Sequence, residues 1–166
     1  MQVSTQLRYP GATPAMVFTM LLDKDFQDRK CLATGALDHS VEITEYDDGS
    51  ATITTVRTMP TNTLPELARS FVGATLSVRQ TDEWHAPGAK GDRGGTLLVE
   101  IEGTPVRMTG TLELVAEGPD TRETVDGDVR VAVPLVGGKL EKMVAPAILA
   151  ATSVEERTGL AWLAGK

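Results

Sequence analysis

The sequence predicts an α+β fold: a curved antiparallel β-sheet gripping a long C-terminal α-helix, with two short helices after the first strand. Three observations carry this. Between Leu37 and Val133 the apolar residues recur with a period of two, the pattern of strands. From Lys139 to about Ala164 they recur at three- and four-residue steps, the spacing of an amphipathic helix. Strands and helices do not alternate one for one, which argues against a parallel α/β sheet.

The elements follow in order. Gln2 to Arg8 alternates Val3, Thr5 and Leu7 with polar residues and reads as a strand. Tyr9-Pro10-Gly11-Ala12 breaks it. Thr13 is placed as an N-cap with Pro14 at the first helical position, so a short helix follows with Met16, Val17, Met20 and Leu21 at helical spacing. A second short helix starts near Asp25 and carries Phe26 and Arg29. Val41 to Tyr46 and Ala51 to Met59 form a hairpin across Asp47-Asp48-Gly49-Ser50, where Asp-Gly supplies the positive φ such turns need. The stretch Leu64 to Phe71 reads as a brief helix or turn. Strands are expected at Thr75–Trp84, Thr96–Glu102, Arg107–Ala116 and Arg122–Val133. In the last of these Val129, Val131 and Val133 share one face, while Asp126, Asp128 and Arg130 share the other. Pro134 ends the sheet. The long helix contains Pro146, which lacks a backbone donor and predicts a kink near Met143.

Composition bounds the function. A chain of 166 residues suits one domain spanning 1–166, with no repeat or linker visible. Aromatic residues make up only 4%, so the core is built from Val, Leu, Ile, Ala and Met. The net charge is −7, with no basic stripe, which speaks against nucleic acid and against anionic membrane surfaces. The one cysteine, Cys31, rules out an internal disulfide; Arg29 and Lys30 beside it favour a lowered pKa, whereas a buried apolar role is the plainer expectation. The first residues show neither the basic start nor the apolar run of a signal peptide, and no stretch approaches the ~18 apolar residues of a membrane span. The expected location is the cytoplasm.

Catalytic motifs are sparse. Two histidines exist, His39 and His85; Glu83 and His85 share a strand face but lack the third ligand a metal needs. The nucleophile-elbow motif Gly-x-Ser-x-Gly is absent. Gly138-Lys139 is followed by Leu140 and preceded by Val133 where a phosphate loop needs glycine, so Gly137-Gly138 reads as a hinge into the helix. No metal and no cofactor is expected, and no catalytic residue is assigned.

Several segments together carry a resemblance. They are Tyr9-Pro10-Gly11-Ala12-Thr13-Pro14, Asp25-Phe26, Trp84, the junction Val133-Pro134-Leu135-Val136-Gly137-Gly138-Lys139-Leu140-Glu141, and Thr158-Gly159-Leu160-Ala161-Trp162-Leu163. Over essentially its whole length the chain resembles the START-like superfamily with its helix-grip fold, and in particular an uncharacterised bacterial family of that kind. The resemblance implies a cavity between the concave face of the sheet and the long helix, usually holding an apolar or amphipathic ligand. Pro146 departs from the uninterrupted helix usual in the superfamily.

Two features of the residues point the same way. The helix turns around Ala145, Ala147, Ala150 and Ala151 fill little volume, and few aromatics are available to fill it from the sheet. The strand residues expected to face the cavity are Val41, Ile43, Leu76, Val78, Val99, Ile101, Leu112, Leu114, Val129 and Val131; Met143, Ala147 and Ala151 face it from the helix. Gln80 shares the phase of Leu76 and Val78, either as a polar orienting group or at the wet rim of the sheet. The face of the strand from Ala51 to Met59 is ambiguous. Three functions follow: binding of a lipid, isoprenoid or polyketide; a polyketide cyclase- or hydrolase-like enzyme, which needs an ionisable group inside the cavity; or an interaction domain with a solid core. The first is favoured.

Overall fold

The computed structural model describes residues 1–165, with Phe71 described by its backbone alone. The element order is β1 (Gln2–Tyr9), α1 (Pro14–Leu21), α2 (Lys24–Ala33), β2 (Asp38–Glu45), β3 (Ala51–Pro60), α3 (Glu66–Val72), β4 (Thr75–Trp84), β5 (Arg93–Ile101), β6 (Val106–Glu117), β7 (Asp120–Val131) and α4 (Gly137–Ala164). All strands join one seven-stranded sheet in the order β1-β7-β6-β5-β4-β3-β2, with every pairing antiparallel. β2 to β7 is a meander, and β1 closes onto its far edge.

Local chemistry sets the boundaries. The Thr13 hydroxyl accepts from the Met16 amide at 3.3 Å, capping α1, and Pro14 takes the first turn where its missing N–H costs nothing. Asp23 caps α2 by accepting from the Asp25 and Phe26 amides. Gly49 adopts φ 81° in the β2–β3 turn, as that turn requires.

α1 and α2 plug one end of the sheet. Tyr9, Val17, Met20, Phe26 and Leu114 are buried there. Phe18 meets Trp84 edge-on at 6.1 Å, and the Arg93 guanidinium lies over the Phe18 ring, 3.5 Å from its centre. α4 is a single helix that runs through Pro146, which is exposed; the helix is not divided there. It is anchored towards its ends. Leu140 and Gly137 pack at its start, where a Cβ on Gly137 would lie 2.3 Å from the Val131 carbonyl oxygen. Gly159 and Trp162 are buried near its end. The middle of the helix contributes no fully buried apolar side chain.

Gly159 sets the close approach of α4 to the plug. A Cβ there would fall 2.8 Å from Tyr9 Cε1 and 3.0 Å from Met20 Cε. Gly159→Val is expected to destabilise the protein by about 1–3 kcal/mol through overpacking. Chemical denaturation measures this; a variant as stable as the wild type would show that α4 is not held at this point.

Candidate functional site

A cavity of about 560 Å3 lies between the sheet and the middle of α4. Five strands wall it with the inward members of their alternation. On β4 these are Leu76, Val78, Gln80 and Asp82; on β5, Leu97, Val99 and Ile101; on β7, Val131, Val129, Val125 and Glu123. Met143, Val144, Ala147, Ile148 and Ala151 face it from α4. Leu64, Ala68 and Val72 of the β3–β4 connection and the β5–β6 turn at Gly103–Pro105 border its outer end.

The expected residues divide. Leu76, Val78, Gln80, Val99, Ile101, Leu112, Val129, Val131, Met143, Ala147 and Ala151 all line the cavity. Val41, Ile43 and Leu114 do not. β2 is the edge strand and its inner face is covered by α2, so Val41 and Ile43 are half-buried under that helix, with Ile43 against the core. Leu114 lies one inward step beyond Leu112 and is wholly buried in the packed end of the sheet. The void is thus shorter and narrower than the inward face of the sheet.

The inner end of the cavity is polar. Lys30 from α2, Arg57 from β3, Gln80 and Asp82 from β4, Glu123 from β7 and Glu155 from α4 all reach it. Lys30 Nζ pairs with Glu155 Oε1 at 3.2 Å. Arg57 Nη2 donates to Gln80 Oε1 at 3.1 Å, and Gln80 Nε2 donates to Asp82 at 3.0 and 3.1 Å. Gln80 thus bridges a cation and a carboxyl rather than lying at a wet rim. The Tyr9 hydroxyl lies 3.3 Å from Glu123 Oε2.

Burial perturbs these groups. It pushes Asp82 up to about 6, with Lys30 opposing. Burial, reinforced by the Glu155 charge, pushes Glu123 up to about 8. Burial also weakens the hold of Lys30 on its proton, but Glu155 and Asp82 outweigh this and keep its pKa raised. Burial and the Glu123 charge raise Tyr9 well above the phenol range.

Other sequence candidates stay apart from the cavity. Cys31 is buried, and burial raises its pKa despite the neighbouring bases. His39 Nε2 meets Asp28 Oδ1 at 3.1 Å. Among the described residues no group of three His, Cys, Asp or Glu side chains is arranged to hold a metal ion, and no helix is long and apolar enough to cross a membrane.

Most of the polar residues at the inner end are absent from the sequence expectations. Asp82 and Glu123 had a signal: the alternation through Leu76, Val78 and Gln80 continues to Asp82, and that through Val131 and Val129 runs back to Glu123. Arg57 had little, since threonines occupy both faces of β3 and blur its contrast. Lys30 and Glu155 had none, because a lone charge on an amphipathic helix reads as solvated.

Residues 4–163 match a family model described as a protein of unknown function, DUF2505. The chain belongs to this DUF2505 family. An uncharacterised protein of Mycobacterium tuberculosis is 28% identical over 119 residues, which covers 70% of this chain and 68% of that one. Among solved structures, TTHA0849 from Thermus thermophilus superposes with a TM-score of 0.61 at 16% identity, covering 97% of this chain and 98% of that one. A START superfamily protein from Mycobacterium smegmatis gives 0.53 at 15% identity, covering 93% and 94%. Human STARD10 gives 0.61 at 9% identity, covering 96% of this chain and 63% of that one. This DUF2505 protein therefore has the START-like helix-grip fold.

The buried carboxyls make stability depend on pH. Glu123 in the folded protein keeps a proton up to about 8, whereas the unfolded chain releases it near 4.5. Stability therefore falls as pH rises between those values and levels off above them. Glu123→Gln removes this loss. Thermal melts are expected to show the variant gaining about 2–3 kcal/mol on the wild type between about pH 6 and pH 9. Parallel pH profiles would show that Glu123 is not held protonated.

Proposed function

We propose that this DUF2505 protein binds an apolar or amphipathic small molecule, of the lipid, isoprenoid or polyketide kind, between the sheet and α4. One observation carries the reading: a cavity of about 560 Å3 with apolar walls along most of its length and a polar group of side chains at one end. That volume is in the range of small-molecule sites. Apolar walls are also poor hosts for water. A ligand that buries its CH2 groups there gains about 0.8 kcal/mol for each. The START-like fold supports the same reading. The cavity weighs against an interaction domain with a solid core.

A second reading rests on a specific observation. Glu123 and Asp82 are buried acids at the cavity wall with raised pKa values, the property a cyclase- or hydrolase-like enzyme needs. Binding is the common requirement of both readings.

The test fills the cavity. Ala147 and Ala151 face it from α4, so Ala147→Phe and Ala151→Phe place a ring in the space. The neutral fluorescent probe N-phenylnaphthylamine is expected to bind the wild type saturably, and each variant about tenfold more weakly. Melting temperature is expected to hold or rise, because the ring replaces void. Saturable binding that neither ring disturbs, or no binding to the wild type, would contradict the proposal.

A further inference from the structure

Arg57 is the polar side chain of the cavity whose needs the protein does not meet. It is 92% buried, the complement of its 8% exposure, and it lines the inner end. A guanidinium has five N–H donors. Among the described residues one of them has a partner, through the Nη2 bond to Gln80. Nε is buried with no acceptor. No carboxylate pairs with it among the described residues, whereas its neighbour Lys30 has Glu155. Buried cations are normally paired and hydrogen-bonded, because an unmet donor away from water costs free energy. Gln80 aligns the arginine, since its amide nitrogen is held by Asp82 and its oxygen is turned to Nη2.

We infer that Arg57 is the head-group receptor of this cavity and that its ligand carries an uncharged oxygen acceptor, such as a ketone, aldehyde or ester carbonyl, at the end of an apolar body. This rests on the cavity being a ligand site. Nε is sealed inside the protein, but Nη1 has no partner among the described residues and is not sealed, so an acceptor in the cavity meets Arg57 at Nη1, and the apolar walls from Val78 outward hold the rest of the molecule. The surrounding charge decides between a neutral head and an anionic one. Arg57 and Lys30 already face Asp82, Glu155 and Glu123 at this end. Three acids stand beside two cations there, and Lys30 is already paired with Glu155. A carboxylate head would add a negative charge beside acids already strained by burial. A carbonyl takes the hydrogen bonds and adds none.

The experiment displaces N-phenylnaphthylamine at neutral pH with three competitors of equal length: methyl heptyl ketone, nonanoate and nonene. The ketone is expected to compete about tenfold better than nonanoate or nonene. In Arg57→Met, which keeps the length and apolar stem, the ketone is expected to lose its advantage over nonene, both measured against the probe's own affinity for that variant. The wild-type ranking is a test in its own right if the variant does not fold. Preference for nonanoate that disappears in Arg57→Met would overturn the uncharged head and keep Arg57 as receptor of an anion. Equal displacement by all three in the wild type would overturn head-group recognition while leaving the cavity as a binding site. Failure of the probe to bind the wild type would remove the cavity reading itself, and this inference with it.

Discussion

The structure depends on how α4 is held. It is pinned near its start by Gly137 and Leu140 against β7 and near its end by Gly159 and Trp162 against the β1–α1 corner. Between those points its inward residues include Ala147 and Ala151, too small to reach the concave sheet. A helix held at both ends cannot sink to close the gap. A sheet wrapped from β1 round to β2 cannot flatten to close it either. The cavity is the consequence.

The same geometry explains why the charges collect where they do. α1 and α2 plug one end with Tyr9, Phe18, Phe26, Trp84 and Leu114, so the cavity stops at a dry floor. Polar groups at that floor are cut off from bulk water and must satisfy one another. Lys30 and Glu155 do so directly and Glu123 with Tyr9, whereas Arg57 is met only in part, through Gln80, which Asp82 holds in place. Lys30–Glu155 joins α2 to α4, Arg57–Gln80 joins β3 to β4, and Tyr9–Glu123 joins β1 to β7. Buried ionic groups are a weak source of net stability. Under the proposed function they serve to recognise what enters the cavity.

Much of this was legible in the sequence. The period change at Leu37, the Asp-Gly hairpin and the long amphipathic segment after Gly137-Gly138 give the sheet, its direction and the helix that covers it. Eleven of the expected wall residues line the cavity, because a strand face is fixed once one inward residue is known. What alternation does not give is how far along a strand the void extends. That depends on where α1 and α2 dock, a tertiary fact, and so Leu114 and the β2 pair Val41 and Ile43 fall outside. The single helix expected through Pro146 is found, with that proline on its exposed side. The charged floor was hidden for a different reason: a buried charge and a solvated one look alike until the partner strands are in place.

The most direct measurement is native mass spectrometry of the purified protein, followed by solvent extraction and identification of anything bound. The account predicts a fraction of molecules carrying an extra mass that extraction removes, and an extract containing an apolar molecule with an oxygen at one end. A single clean mass under gentle ionisation, with no such molecule in the extract from several expression hosts, would contradict it.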